Sequence, residues 1–221
     1  LAENPGNIQG WVTDHDGKLR VAITTDGVNN SILYRETEND EFKSVLTTTF
    51  KESVNPEFFT FDNKMLYATS NLGRDKLAAV IFDVANGKEK EVIYENLDYD
   101  VNGISFSRKR KVLLSARYES WKAERHIFDE QMKTVMSDLE SKLPGVEIAI
   151  TGMTKDENIY MIRTYSDRTL GDYYVYNVTS KELKHIHEVS PWLQADKMAQ
   201  QLPVQYQSRD GLTIHGYLTL P

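Results

Sequence analysis

The segment EFFTFDNKMLYATSNLGRDKLAAVIFDVANGKEKEVIYE, residues 57–95, decides the fold. It holds four short apolar runs, rich in aromatic and β-branched residues and separated by polar turns, and this pattern predicts four consecutive strands. The runs are EFFTF (57–61), MLYAT (65–69), AAVIFD (78–83) and EVIYE (91–95). A single four-stranded sheet cannot cover both of its faces, so we expect the segment to stack against others of its kind.

The same scheme recurs along the chain. Polar hairpin turns follow one another at intervals of 47, 46 and 47 residues, namely Asp16-Gly17, Asn63-Lys64, Lys109-Arg110 and Asp156-Glu157. Aromatic residues that close an apolar run follow at intervals of 48, 46 and 48, namely Tyr34, Phe82, Phe128 and Tyr176. This period predicts an all-β fold, part of a β-propeller with about four four-stranded blades. A plain β-sandwich has no reason to keep so regular a spacing.

The third repeat contains the segment DEQMKTVMSDLESKLPG, residues 129–145. Its apolar residues fall on one helical stripe, at Met132, Val135, Met136, Leu139 and Leu143. Asp129 fits an N-cap and Pro144-Gly145 fits a helix end. We therefore predict one inserted helix of three to four turns where a fourth strand of the third blade would lie.

Composition limits the classes of function. The formal net charge is −7, which argues against a nucleic-acid or membrane partner. The dense basic run RKRK (108–111) lies between apolar runs and reads as a solvated turn. The chain has no cysteine, which excludes disulfides and thiolate metal sites. We expect a soluble protein, and the sequence leaves the compartment open between cytoplasm and periplasm or the secreted space.

Three later stretches carry a resemblance to a known family. They are ERHIFDEQMKTVMSDLESKLPGVEIAITGMTKD (124–156), SDRTLGDYYVYNVTSKELKHI (166–186) and SPWLQADKMAQQLPVQYQSRDGLTIHGYLTLP (190–221). Together they resemble the propeller region of prolyl oligopeptidase family serine peptidases, in the dipeptidyl aminopeptidase and acylaminoacyl-peptidase branch. One departure is Leu170-Gly171, where that subgroup usually has Pro-Gly; we interpret it as turn variation, because Gly171 keeps the permissive backbone.

The resemblance implies a domain organisation. Residues 1–200 would be propeller blades, part of a larger propeller. Residues 201–221 would be a linker and the first hairpin of an α/β-hydrolase domain that continues beyond this chain. In that hairpin we expect Leu212, Ile214 and Tyr217 to form a half-buried strand after the turn at Asp210-Gly211. The terminal blades of a partial propeller expose flat faces, which predicts self-association.

We find no catalytic chemistry in the chain itself. A hydrolase of this type needs a Gly-x-Ser-x-Gly elbow, and the nearest string, residues 103–107, lacks the second glycine. The sequence therefore predicts no catalytic residue, no metal and no cofactor. His185 and His187 share a strand face, but no further ligand has recognisable metal spacing.

The resemblance implies a non-catalytic propeller that gates the access of short peptides to the hydrolase of a serine-type exopeptidase or oligopeptidase. Loops facing the hydrolase would supply charged groups for a peptide terminus. Our candidates for contact with substrate are Arg117, Glu119, Arg163, Asp167 and Arg168. The alternative is a stand-alone propeller that serves as a protein-interaction module, and the C-terminal hairpin argues against it.

Overall fold

The computed structural model describes residues 3–220. The described chain is built of antiparallel sheets in which successive strands pair in chain order. The first sheet contains β1 (Ile8–Thr13), β2 (Leu19–Thr25), β3 (Asn30–Tyr34) and β4 (Lys43–Thr48). The second contains β5 (Val54–Phe59), β6 (Leu66–Ser70), β7 (Ala78–Asp83) and β8 (Lys88–Tyr94). The predicted strand pattern of residues 57–95 is confirmed.

The third sheet has three strands, and the predicted helix follows the last of them. Its members are β9 (Val101–Ser107), β10 (Val112–Glu119) and β11 (Ala123–Ile127), and helix α1 is Glu130–Lys142. Four of the five stripe residues are buried, namely Met132, Val135, Met136 and Leu139. The helix thus takes the chain position of a fourth strand, as predicted, and ends before Pro144-Gly145.

The fourth sheet again has four strands, and a hairpin follows it. The sheet contains β12 (Glu147–Met153), β13 (Ile159–Tyr165), β14 (Asp172–Asn177) and β15 (Leu183–Glu188). A turn of 3₁₀ helix, Ala195–Lys197, leads to the hairpin of β16 (Gln201–Gln207) and β17 (Thr213–Thr219). Four successive sheets with this strand order form the blade repeat of a β-propeller, which confirms the predicted all-β fold with one helix.

The chain divides into two compact units. Unit 1 comprises the chain up to Phe106 together with Lys111–Asp129, and unit 2 comprises Ser107–Arg110 and the chain from Glu130 onward. In unit 1 the first and second sheets enclose a core that includes Val21, Phe59 and Phe82. A second cluster, which includes Ala79 and Ile104, lies between the second and third sheets. The division between residues 200 and 201 stays a prediction.

The turn that joins the first two strands of each sheet has a left-handed residue at a repeated position. These residues are Gly17, Asn63, Lys111 and Glu157, with φ of 77°, 59°, 54° and 54°. In unit 1 the Asn63 Oδ1 accepts a hydrogen bond of 3.0 Å from the His15 backbone N–H. In unit 2 the Glu157 Oε1 accepts an equivalent bond of 3.0 Å from the Lys109 N–H. Side-chain bonds between turns therefore repeat with the same 48-residue separation.

No helix in residues 3–220 combines the length and the apolar character that crossing a membrane requires.

Candidate functional site

The connection between β13 and β14 is a tight loop with an obligatory glycine. The Ser166 N–H donates to the Thr169 carbonyl at 3.1 Å, which closes the loop. Gly171 has φ of +82°, and a Cβ at this position would lie 1.7 Å from the Thr164 carbonyl oxygen. Only glycine fits both conditions, so the Leu170-Gly171 pair does keep the permissive backbone that the sequence predicts.

Two of the candidate contact residues lie in this loop. Asp167 is exposed, and its Oδ2 accepts a hydrogen bond of 2.8 Å from the Gln201 backbone N–H at the start of β16. Arg168 is exposed, and its backbone N–H donates to the Ser166 Oγ at 3.2 Å. The loop is therefore bonded directly to the C-terminal hairpin.

Arg163 lies in β13, two residues before the strand ends at Tyr165 and the loop begins. It pairs with Ala149 on one side and with Tyr173 on the other. Its guanidinium carbon lies 5.8 Å from the centre of the Tyr173 ring. The Arg163 Nε is buried and has no hydrogen-bond partner in residues 3–220.

Arg117 and Glu119 also lie in a strand, β10, and not in the loop that the sequence analysis expected. They pair with Arg125 and Ala123 of β11. Both side chains are exposed. These two candidates belong to unit 1, whereas Arg163, Asp167 and Arg168 belong to unit 2.

All five candidates lie at an equivalent end of their own sheet. Arg117 and Glu119 precede the connection between β10 and β11, the second and third strands of the third sheet. The other three lie before or within the matching connection of the fourth sheet. Because strands alternate in direction, the chain also leaves β15 at this end. The Val189 N–H bonds the Gly171 carbonyl at 3.0 Å there. We call this end of each sheet the exit end.

Loops at the exit ends expose large apolar side chains. In unit 1 these are Val28, Phe50, Leu97 and Trp121, between 54% and 84% exposed. In unit 2 they are Leu170 and Trp192, 50% and 73% exposed. Among the described residues, the turns at the opposite ends contain no exposed large apolar residue. Within each unit, exposed apolar residues concentrated at one end of the sheets are typical of an interaction surface.

The C-terminal hairpin has one apolar face. Cross-strand pairing places Leu202, Val204 and Tyr206 opposite Leu218, Gly216 and Ile214, so all six share a face. The expected half-buried strand of Leu212, Ile214 and Tyr217 is wrong in detail. Leu212 precedes β17 and is exposed, while Tyr217 pairs with Pro203 on the other face and is half exposed. The sequence pattern of β17 alone does not reveal this apolar face, because half of the face is contributed by β16.

Histidine side chains do not assemble a metal site. His185 and His187 are exposed on β15, where His185 Nε2 lies 3.7 Å from Asp172 Oδ1. Within residues 3–220, no group of three or more potential ligands has the arrangement needed to hold a metal ion. The two histidines pair with consecutive residues of β14, Tyr174 and Tyr173, because the register shifts between them, so the expected shared strand face is wrong.

Glu57 is an exposed residue of β5 that the sequence analysis did not single out. Crowding by neighbouring atoms removes water from its carboxyl and raises the pKa of Glu57, and the positive charge of Arg117 partly opposes this effect. The side chain nevertheless keeps contact with solvent. Comparison of the repeats distinguishes Glu57, because the matching positions in the first and fourth sheets are the uncharged residues Gln9 and Thr151.

Two curated proteins are similar in sequence to nearly the whole of this chain. Dipeptidyl aminopeptidase BIII of Pseudoxanthomonas mexicana is 26% identical over 235 aligned residues, covering 100% of this chain and 32% of that protein. Dipeptidyl peptidase family member 6 of Caenorhabditis elegans is 22% identical, covering 94% of this chain and 30% of that protein. The chain thus spans about a third of the length of these relatives. No family model matches it.

Solved structures show the same fold. The crystal structure of a puromycin hydrolase matches 99% of this chain and 35% of its own, with a TM-score of 0.68 and 13% identity. Apo prolyl oligopeptidase B from Galerina marginata matches 98% of this chain and 32% of its own, with a TM-score of 0.60 and 14% identity. Together with the sequence relatives, these matches confirm the family resemblance inferred from residues 124–221.

Proposed function

Because the chain is the counterpart of the propeller region of prolyl oligopeptidase family serine peptidases, we propose that it is a non-catalytic domain that gates the access of short peptides to a hydrolase active site. The observation that carries this proposal is the asymmetry of the sheets. Exposed apolar side chains, the charged candidates and the outgoing chain all lie at the exit ends. A domain that follows the hairpin would begin at the exit end of the fourth sheet and would confine peptides between itself and the charged residues of that end.

The hairpin supports the same proposal. The hairpin would be more stable with its apolar face covered by another element. Burying a large apolar side chain contributes about 1.5–3 kcal/mol, and that free energy is lost while the side chain stays exposed. Asp167 holds the start of this hairpin against the fourth sheet. A hydrolase domain built onto β17 would therefore begin beside Arg163, Asp167 and Arg168.

The first experiment is to sequence the gene beyond the codon for Pro221. The proposal expects a further domain of roughly 100–250 residues that contains Gly-x-Ser-x-Gly followed by Asp and His. A stop codon directly after Pro221 would overturn it and would favour the stand-alone interaction module.

Gating is tested on the complete gene product. We expect Leu170→Ser and Trp192→Ser, which remove exposed apolar side chains from the exit end of the fourth sheet, to raise kcat/KM for a long unstructured peptide relative to that for a dipeptide amide. Val92→Ser, at a partly exposed site in the strand β8, is the matched control and should leave the ratio unchanged. Equal ratios in all four proteins would refute gating at this end.

A further inference from the structure

Helix α1 and the turn between β14 and β15 form the two walls of a surface groove in unit 2. The groove consists of two depressions of about 320 Å³ and 500 Å³, which share Thr134 of the helix and Lys181 of the turn. Because an α-helix rises about 1.5 Å per residue, the helix wall from Gln131 to Ser141 is about 15 Å long. We call this feature the helix groove. Its polar lining includes Gln131, Thr134, Ser137, Ser141, Thr179 and Lys181.

Hydrogen bonds within the protein hold both walls of the helix groove. The helix is joined to β14 by the bond that the Tyr176 hydroxyl donates to Asp138. In the turn, the Asn177 Oδ1 accepts bonds from the backbone N–H groups of Thr179 and Ser180 at 3.0 and 2.9 Å. A groove whose walls are already ordered loses little conformational entropy when a ligand binds, which favours affinity.

Lys181 supplies an unpaired positive charge to the helix groove. Two lysines of the helix have carboxylate partners, since Lys133 pairs with Glu130 and Lys142 pairs with Asp138. Lys181 is exposed and forms no ion pair of 4.0 Å or less with another residue in 3–220. An ammonium group without a partner favours a carboxylate ligand.

The hydroxyl groups of the helix wall offer hydrogen-bond acceptors. The Thr134 Oγ1 donates to the Glu130 carbonyl at 3.0 Å, and the Ser141 Oγ donates to the Asp138 carbonyl at 2.8 Å. Each hydroxyl uses its one proton in this way, so its oxygen is left as an acceptor. The groove therefore combines acceptors along the helix with donors on Lys181. A peptide backbone needs both, because each residue carries an N–H donor and a C=O acceptor.

The charge of unit 2 does not repel an acidic ligand. Unit 2 contains 12 Lys and Arg residues and 12 Asp and Glu residues, so the formal net charge of −7 arises in unit 1. Interactions between exposed charges are screened beyond about 10 Å, so the residues nearest the groove decide its local potential. The two ion pairs of the helix cancel there, and Lys181 leaves an excess of positive charge.

We propose that the helix groove binds an extended acidic segment of a partner protein. A carboxylate of the segment would pair with Lys181, and its backbone N–H groups would donate to the hydroxyl oxygens of Thr134 and Ser141. At about 3.3 Å per residue, a groove of this length accommodates four to five extended residues. The inference goes beyond the proposed gating, because it depends on no residue at the exit ends.

The probe is tetraglutamate with an acetylated N-terminus and an amidated C-terminus, titrated into the whole chain and followed by NMR. Tetraglutamine with the same blocked termini is the neutral comparison. Losing one charge-assisted contact costs on the order of tenfold in affinity, so tetraglutamine should bind about tenfold more weakly. We expect tetraglutamate to change the amide signals of Thr134 and Lys181.

Lys181→Gln should weaken tetraglutamate binding about tenfold and remove the preference over tetraglutamine. Lys111→Gln is the matched control, because Lys111 is also exposed and has a similar φ, 54° against 57°, in a turn of the third sheet. This control should keep both the affinity and the preference of the original chain.

Ser137→Tyr provides a test without any change of charge. Ser137 lines the larger depression and is exposed, so a tyrosine there would fill the groove and should weaken both peptides. Ser180→Tyr makes the same change at an exposed position of the β14–β15 turn that does not line the groove, and it should leave binding unchanged. Thermal unfolding identifies any variant that fails to fold, and Lys181→Gln still tests the site in that case.

The inference is overturned if the original chain binds tetraglutamate and tetraglutamine equally, or if Lys181→Gln and Lys111→Gln have the same effect. It is also overturned if succinate, at the same concentration of carboxylate groups, changes the same amide signals as strongly as tetraglutamate. That result would mean that Lys181 attracts any carboxylate and that the groove does not recognise a peptide.

Discussion

The Tyr176 hydroxyl donates a hydrogen bond of 2.7 Å to the Asp138 Oδ2, which joins strand β14 to helix α1 across 38 residues of sequence. Tyr176 is 1% exposed. Lys142, one turn further along the helix, also binds Asp138. The pKa of Asp138 is lowered by Lys142 and by Tyr176. The pKa of Tyr176 is raised by burial and by its bond to Asp138. This contact fastens the inserted helix to the fourth sheet.

Tyr176→Phe should lower the free energy of unfolding by about 1 kcal/mol, the usual net value of such a bond. The loss stays modest because Lys142 still satisfies the carboxylate. Urea unfolding measures it, with Tyr174→Phe as the control, since the Tyr174 hydroxyl donates to Asp172 of its own strand and does not join two elements. A Tyr176→Phe chain as stable as the original would mean that packing alone holds the helix.

The turn-to-turn bonds give a second prediction. Glycine keeps the left-handed backbone, so Glu157→Gly removes only the side-chain bonds to Ser107 Oγ at 2.5 Å and to the Lys109 N–H. We expect a loss of about 1–2 kcal/mol, because the buried carboxylate makes two charge-assisted bonds. Asn63→Gly should cost about 0.5–1 kcal/mol.

Lys181→Gly is the matched control for both variants. Lys181 is exposed and also has positive φ, 57°, in the turn between β14 and β15. Relief of backbone strain should make this variant neutral or slightly more stable. Equal effects in all three variants would show that the inter-turn bonds contribute nothing.

Gly171→Ala should be severely destabilising. The methyl group would overlap the Thr164 carbonyl oxygen at 1.7 Å, and φ of +82° is unfavourable for alanine. We expect a cost above about 3 kcal/mol, at the upper limit for such strain. Gly211→Ala has a similar φ, +85°, with nothing within 4 Å, and should cost only about 1 kcal/mol. Calorimetry of the two variants separates the steric effect from the conformational one.

Asp26 should contribute to the loss of folding stability at acid pH. Its carboxylate accepts bonds from the Asn29 backbone and side chain and from the Val28 N–H, which lower the pKa of Asp26 from 3.8 to about 2. A carboxyl group whose pKa is lower in the folded than in the unfolded chain stabilises the folded state at pH values above the unfolded pKa. That contribution is lost as pH falls from about 4 to about 2.

Asp26→Asn cannot titrate, so its free energy of unfolding should fall less steeply over this range than that of the original chain. Urea unfolding at several pH values measures the difference. An Asp26 carboxyl that titrates by NMR at its ordinary value would contradict the prediction.

The apolar hairpin face predicts concentration-dependent self-association of the chain. We expect Val204→Glu to shift the sedimentation profile toward monomer, because a charge would then be desolvated at the contact. Gln205→Glu, on the opposite face of the same strand, adds the same charge and should leave association unchanged. An original chain that is monomeric at every concentration would refute the prediction.

Much of the architecture could be predicted because it follows from sequence patterns within short segments. The 46–48 residue period, the strands within residues 57–95 and the helical stripe from Met132 to Leu139 each depend on neighbours a few positions apart. Strand ends were harder to predict. Arg117 and Glu119 were placed in a loop, since polar residues at the end of a strand look like loop residues when the pairing partner is unknown.

The sequence by itself determined the repeat, the fold class and the inserted helix, because period and amphipathicity are properties of short segments. Only the tertiary structure decided which polar groups meet. The bond between Glu157 and Lys109, the bond between Tyr176 and Asp138 and the groove that Thr134 shares with Lys181 all join residues from different elements or turns. These contacts depend on which residues lie opposite one another in a sheet and on how the sheets stack. A shift of one residue in strand register would change both.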